Sequence, residues 1–199
     1  MQTCMIRRAA AILAAAVLVC LWPTFVAAQA VTTQLTAMEV FDPFGLLGNG
    51  IVGTYITPGT ITCPGAEPTG NPMQPCPPGS RMNFRGVSWE SRIVSSSALL
   101  TGSFLNEGSS NFDADAAGQV WGTFRIALDA GGVWEGTTTA TRSKVGEAWV
   151  VSVRGVGQGS GGAVDGMHLS FTEVAPMLTA VPLVWLGSMD VEILAPPSR

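Results

Sequence analysis

Two glutamates, Glu135 and Glu173, are the side chains whose type and setting best suit chemistry in this chain. Glu173 follows Met167, Leu169 and Phe171 at a spacing of two, so it shares the apolar side of an extended strand. Glu135 opens the run VWEGTTTATR and is followed at the same spacing by Thr137, Thr139 and Thr141. A carboxyl group aimed into apolar space has a raised pKa, and can serve as general acid, general base or ligand anchor. At a strand end in water the same residue is only a solvated charge.

Folding Val120–Val156 into two hairpins shows what would surround Glu135. Turns at 129–132 and 143–147 set Ile126 opposite Glu135, Phe124 opposite Thr137 and Thr139 opposite Val151. One face then collects the expected ligand-contacting residues Phe124, Ile126, Thr137, Thr139, Trp149 and Val151, together with the catalytic candidate Glu135. The other face collects Trp121, Arg125, Trp134, Arg142 and Arg154, and three arginines on neighbouring strands belong in solvent. Side chains alternate with period two, so one extra residue in either turn exchanges the faces.

Three other constellations invite chemistry and have simpler readings. Asn111, Asp113 and Asp115 in NFDADAAG have the alternate-oxygen spacing of a calcium loop. Ala116 stands where that loop needs glycine, and Gly122 where it needs a closing glutamate, so an Asx-rich hairpin turn accounts for the same residues. Ser160, Asp165 and His168 lie within nine residues of one another, with Gln158 breaking any GxSxG elbow. The glycine-rich run Gly155–Gly166 ends in no Lys-Ser or Lys-Thr pair and leads to no helix, so it reads as a bulged connection rather than a phosphate loop.

Cys63 and Cys76 bracket a loop rich in proline and glycine, and in an oxidising compartment such a pair forms a disulfide. With one histidine in the chain, remote from both, two thiolates make no tetrahedral metal site. No cofactor is implied.

The elements that must position these residues are strands. Apolar and polar residues alternate in short blocks separated by Gly, Pro, Asn and Asp, near 33–41, 51–56, 81–87, 98–106, 120–128, 133–142, 148–156, 167–174 and 181–194. Short connections between many strands predict an all-β fold, a single antiparallel β-barrel of about eight strands.

Ahead of it, Arg7 and Arg8, the apolar run Ala9–Trp22 and the small residues to Ala30 have the form of a cleaved N-terminal signal peptide. That run is 14 residues, whereas a spanning helix needs about 20, so no integral membrane segment is expected once the signal is removed. The expected organisation is a signal peptide over 1–30 and one barrel domain over 31–199, secreted or periplasmic. The formal charge is −4, and it becomes more negative when Arg7 and Arg8 leave with the signal. With no basic surface to neutralise phosphates, nucleic acid is not an expected partner.

The stretch Arg81–Val174, with WGTFRIAL, VWEGTTTATR, AWVVSVRG and the glycine-rich turn before MHLSF, resembles small exported barrels of the allene oxide cyclase and dirigent-like type. The resemblance covers about half the chain and is one of hairpin pattern. It implies an eight-stranded barrel whose central pocket binds hydrophobic small molecules or steers cyclisation and coupling; no functional residue carries over. The mixed inner wall, with no convincing catalytic constellation, leads to an expectation of a binding or scaffold barrel that holds a small apolar or amphipathic ligand. The competing readings are a cyclase, isomerase or lyase working through an inward carboxylate, and a filled barrel whose surface does the recognition.

Overall fold

The computed structural model describes residues 30–48, 50–71, 75–179 and 184–197. The expected signal peptide lies outside the described residues except for Ala30. Described are β1 (Val31–Phe41), β2 (Thr54–Thr57), β3 (Thr60–Thr62), β4 (Met82–Ser95), β5 (Gly102–Phe112), β6 (Gly118–Leu128), β7 (Val133–Val145), β8 (Ala148–Ser160), a short 3-10 turn (Gly162–Val164), β9 (His168–Thr179) and β10 (Val184–Ala195). No helix among the described residues is long and apolar enough to cross a membrane.

Strands β4 to β10 pair antiparallel in chain order, and β1 joins β10 on one side and β4 on the other. The result is a closed, eight-stranded antiparallel barrel, as the alternation predicts. Closure removes the open edge where β1 and β4 meet. The seam is short: β1 meets β4 only where Ala37–Val40 face Ser95–Arg92. Beyond it the edge of β4 is taken up by β2 at Ser88–Glu90 and by β3 at Asn83–Arg85. Asp42 shapes this departure, its carboxylate accepting the backbone N–H groups of Leu46 at 2.8 Å and Leu47 at 2.7 Å.

A disulfide joins Cys63 to Cys76 across a Cα separation of 5.5 Å, on the connection between β3 and β4. Closing a loop of this length contributes about 3 kcal/mol in the chain-entropy account.

Both central hairpins take registers other than those expected. In the first, Leu128 N–H bonds Gly132 at 3.1 Å, and Gly131 and Gly132 both have positive φ, 88° and 94°. These two glycines admit one residue more than the expected turn, so Ala127 faces Val133 and Ile126 faces Trp134. In the second, Gly146 at φ 61° supports a tight two-residue turn, which pairs Val145 with Ala148 and Arg142 with Val151. Trp134 and Arg142 therefore turn to the interior, while Glu135, Thr137 and Thr139 turn outward.

The glycine-rich run is mostly strand. Gly155, Gly157 and Gly159 are successive inward positions of β8, and a Cβ there would strike Phe171, Phe124 and Val164 respectively. The glycines let large side chains lie flat on the wall, and only 161–167 forms the connection.

The interior divides along the barrel axis. One half is packed solid by Ile93, Leu100, Ile126, Leu128, Trp134, Val164, Leu169, Val191 and Ile193. Trp134 is wholly buried, and its indole N–H donates to Leu99 O at 2.9 Å. Phe104, Phe124 and Phe171 meet edge to face, with centroids 5.4–6.3 Å apart, and cap this plug. Above them the barrel is open.

Candidate functional site

Glu39 and Glu173 stand at the base of the open half. On β1, Leu35, Ala37, Glu39 and Phe41 alternate inward, and on β9 Leu169, Phe171, Glu173 and Ala175 do the same. The two strands are separated by β10, where Gly187 faces Glu39 and Met189 faces Glu173. Glycine at 187 leaves room for the Glu173 carboxyl, which a Cβ there would meet and displace. The two side chains meet over that notch, at 4% and 3% exposure.

Their surroundings are unequal. Glu39 accepts hydrogen bonds from Ser91 Oγ at 2.5 Å and from the Trp185 indole. Burial pushes its pKa up, and those donors, with Glu173, pull against the rise. Glu173 is held well above the usual carboxylate range, first by burial, then by the Glu39 charge and by its hydrogen bond to Glu39. Two carboxyls this close in apolar surroundings cannot both ionise. The donors favour the ionised form of Glu39, whereas the surroundings of Glu173 favour its protonated form.

The pair looks into a cavity of about 240 Å³. Its walls are largely aromatic, with Phe84, Trp89, Phe104, Phe112 and Trp185 among the lining residues, together with Tyr55 from β2. Burial pushes the Tyr55 phenol up to about 12. Trp185 stacks on Phe41 at 4.2 Å, and Trp89 meets Trp185 edge to face at 6.2 Å, so these rings hold one another in place. Arg142 lines the same cavity from β7, its guanidinium 4.6 Å from the Trp149 ring and 5.3 Å from the Phe112 ring.

Trp89 Nε1, Arg142 Nε and Glu173 Oε1 are buried and without a hydrogen-bond partner among the described residues, and all three residues line this cavity. Most buried polar atoms in folded proteins are paired, so three unpaired ones on residues that line one cavity stand out.

The residues singled out from the sequence separate accordingly. Glu173 and Val151 line the cavity, and Trp149 stands beside it against Arg142. Phe124 and Ile126 face inward but belong to the plug. Glu135 lies on the outer surface, its Oε1 accepting from Arg125 Nε at 3.1 Å, and Thr137 and Thr139 are exposed beside it. The expectation of an inward Glu135 is corrected by the extra residue in the turn before it. Arg125 and Arg154 face outward as the register proposed, whereas Arg142 does not.

The other constellations do not assemble into a site. Asn111 Oδ1 accepts from Arg85 at 2.7 Å, and Asp113 Oδ1 accepts the N–H groups of Asp115 and Ala117 at 2.9 and 3.0 Å, an Asx turn holding its own hairpin. Ser160, Asp165 and His168 are all exposed, and Asp165 accepts the Gly161 N–H at 2.9 Å. Among the described residues no group of three or more His, Cys, Asp and Glu gathers to hold a metal ion.

No family model, curated protein or solved structure matches the chain. The cavity itself carries the functional reading.

Proposed function

We propose that this barrel binds one small, mainly apolar molecule in its open half, with a polar atom of that molecule set against the Glu39–Glu173 pair. The observation that carries the reading is a buried carboxyl pair, Glu39 and Glu173, at the base of an aromatic cavity of about 240 Å³. Burying two acids costs stability that only hydrogen bonding or pairing offsets, and a ligand hydroxyl or carbonyl would find both a donor and an acceptor there. The disulfide suits an oxidising compartment, in keeping with an exported protein. The hairpin-pattern resemblance to allene oxide cyclase and dirigent-like barrels favours the same kind of pocket.

Trp89, Trp121 and Trp185 all line the cavity, so occupancy is readable from tryptophan emission. A panel of hydrophobic dyes and small lipids is expected to give at least one saturable change that Glu173→Leu weakens. Emission unchanged across the whole panel would count against a binding cavity.

A second reading is an acid–base isomerase or cyclase in the same cavity, and the pairing of the two carboxyls favours it. Glu173 would give its proton to one atom of the substrate while Glu39 withdraws one from another, leaving the pair protonated once at the end. Turnover abolished by both Glu39→Gln and Glu173→Gln, with ligand binding retained, separates catalysis from simple binding.

A further inference from the structure

Arg142 is the least explained charge in the barrel. Arg125 and Arg92 have carboxylate partners, Glu135 and Asp129, on the outer surface. No carboxylate among the described residues forms an ion pair with Arg142. Its guanidinium is instead held between the Phe112 and Trp149 rings, and its buried Nε donates to nothing described. Two rings fix the plane of the guanidinium and stand in place of water around it, which leaves a rigid, partly desolvated cation on the wall of an apolar cavity.

The register fixes where this cation lies relative to the carboxyl pair. Arg142 faces Val151 on β8, and Val151 faces Ala175 on β9, one inward position nearer the mouth than Glu173. Two strand spacings and two residues of rise place the Arg142 and Glu173 backbones about 12 Å apart. Glu39, Glu107 and Glu173 are the acidic residues around the cavity. Glu107 is on an exposed position of β5, and the other two lie at the base, so the cavity is cationic towards β7 and acidic at its floor.

Resting on the reading of the cavity as a binding site, we infer that Arg142 is the anion anchor of the site and that the ligand is a small organic carboxylate, its acid group on Arg142, its apolar body over Phe104 and its second polar atom against the Glu39–Glu173 pair. The planar fork of a guanidinium matches a carboxylate, which its terminal N–H groups can hold bidentately. The electrostatics orient the molecule as well: the carboxylate is repelled by the charged floor and attracted to the β7 wall. A doubly charged phosphate has too much hydration to lose for one arginine to replace it.

The test compares two probes of one shape, 2-naphthoate and its neutral isostere 2-naphthamide, titrated calorimetrically into the native protein, Arg142→Gln and Arg142→Lys. The native protein is expected to bind the acid at least tenfold more tightly than the amide. Arg142→Gln abolishes that preference while keeping affinity for the amide, and Arg142→Lys, which retains the charge, keeps part of it. Equal binding of acid and amide by the native protein overturns the anchor and leaves the cavity reading standing. Binding of neither probe overturns both. If Arg142→Gln loses the near-ultraviolet circular dichroism of the fold, the native acid-to-amide ratio and Arg142→Lys still decide.

Discussion

Glu39 and Glu173 lie on strands that do not touch, and their carboxyls meet because Gly187, on the strand between, has no side chain. The pair is thus a property of three strands together. Its chemistry follows from that closeness: burial raises both acids, the Glu39 charge raises Glu173 further, and the hydrogen bond from Glu173 favours the ionised form of Glu39.

Gly187→Ala forces a methyl group into the Glu173 carboxyl. Overpacking of this kind costs about 1–3 kcal/mol. Urea denaturation should show that loss for the single variant, and a smaller one for Gly187→Ala in the Glu173→Ala background. Equal losses in both backgrounds would mean that the notch does not serve Glu173.

The raised Glu173 makes stability fall as pH rises. Below its ordinary value of 4.5 both folded and unfolded chains hold the proton. Above it the unfolded chain releases the proton and the folded one keeps it, so stability declines until the folded-state pKa is passed. Asp42 acts in the opposite sense. Burial opposes its ionisation, but backbone donors from Phe44 to Leu47 together outweigh this and hold its pKa low, a contribution lost as pH falls through 3.8 and below. Glu173→Gln should therefore melt higher than the native protein at neutral pH, by about 2–4 °C per kcal/mol gained. The same variant should show a flatter melting profile above pH 4.5. A profile in Glu173→Gln parallel to the native one would contradict the assignment.

The register of the first central hairpin is tested by two adjacent residues. Trp134→Ala removes the centre of the plug and should cost about 3–5 kcal/mol. Glu135→Gln, on the outer surface in an exposed ion pair, should change stability by less than about 1 kcal/mol and leave ligand affinity alone. Reversed effects would restore the expected inward Glu135.

Much of this was legible in the residues. Alternation announced the strands and the barrel, the isolated cysteine pair announced its disulfide, and Met167, Leu169 and Phe171 announced that Glu173 points inward. The same spacing in Leu35, Ala37, Glu39 and Phe41 carried the signal for its partner. Trp134 and Arg142 were hidden for another reason. Their side depends on how many residues each turn consumes, and Gly131, Gly132 and Gly146 permit backbones that alternation alone does not count. Nor does spacing along one strand reveal that Gly187 clears the space between two others, which appears only once β1, β10 and β9 are side by side.

The central claim is a carboxyl pair that holds one proton at neutral pH and faces an occupiable cavity. Infrared spectroscopy of the native protein at neutral pH reads this directly, since a protonated carboxyl has a carbonyl stretch distinct from that of a carboxylate. The account predicts such a band, absent in Glu173→Gln and shifted when a hydrophobic ligand saturates the tryptophan signal. A native spectrum showing only ionised carboxylates, or a band that persists in Glu173→Gln, would contradict it.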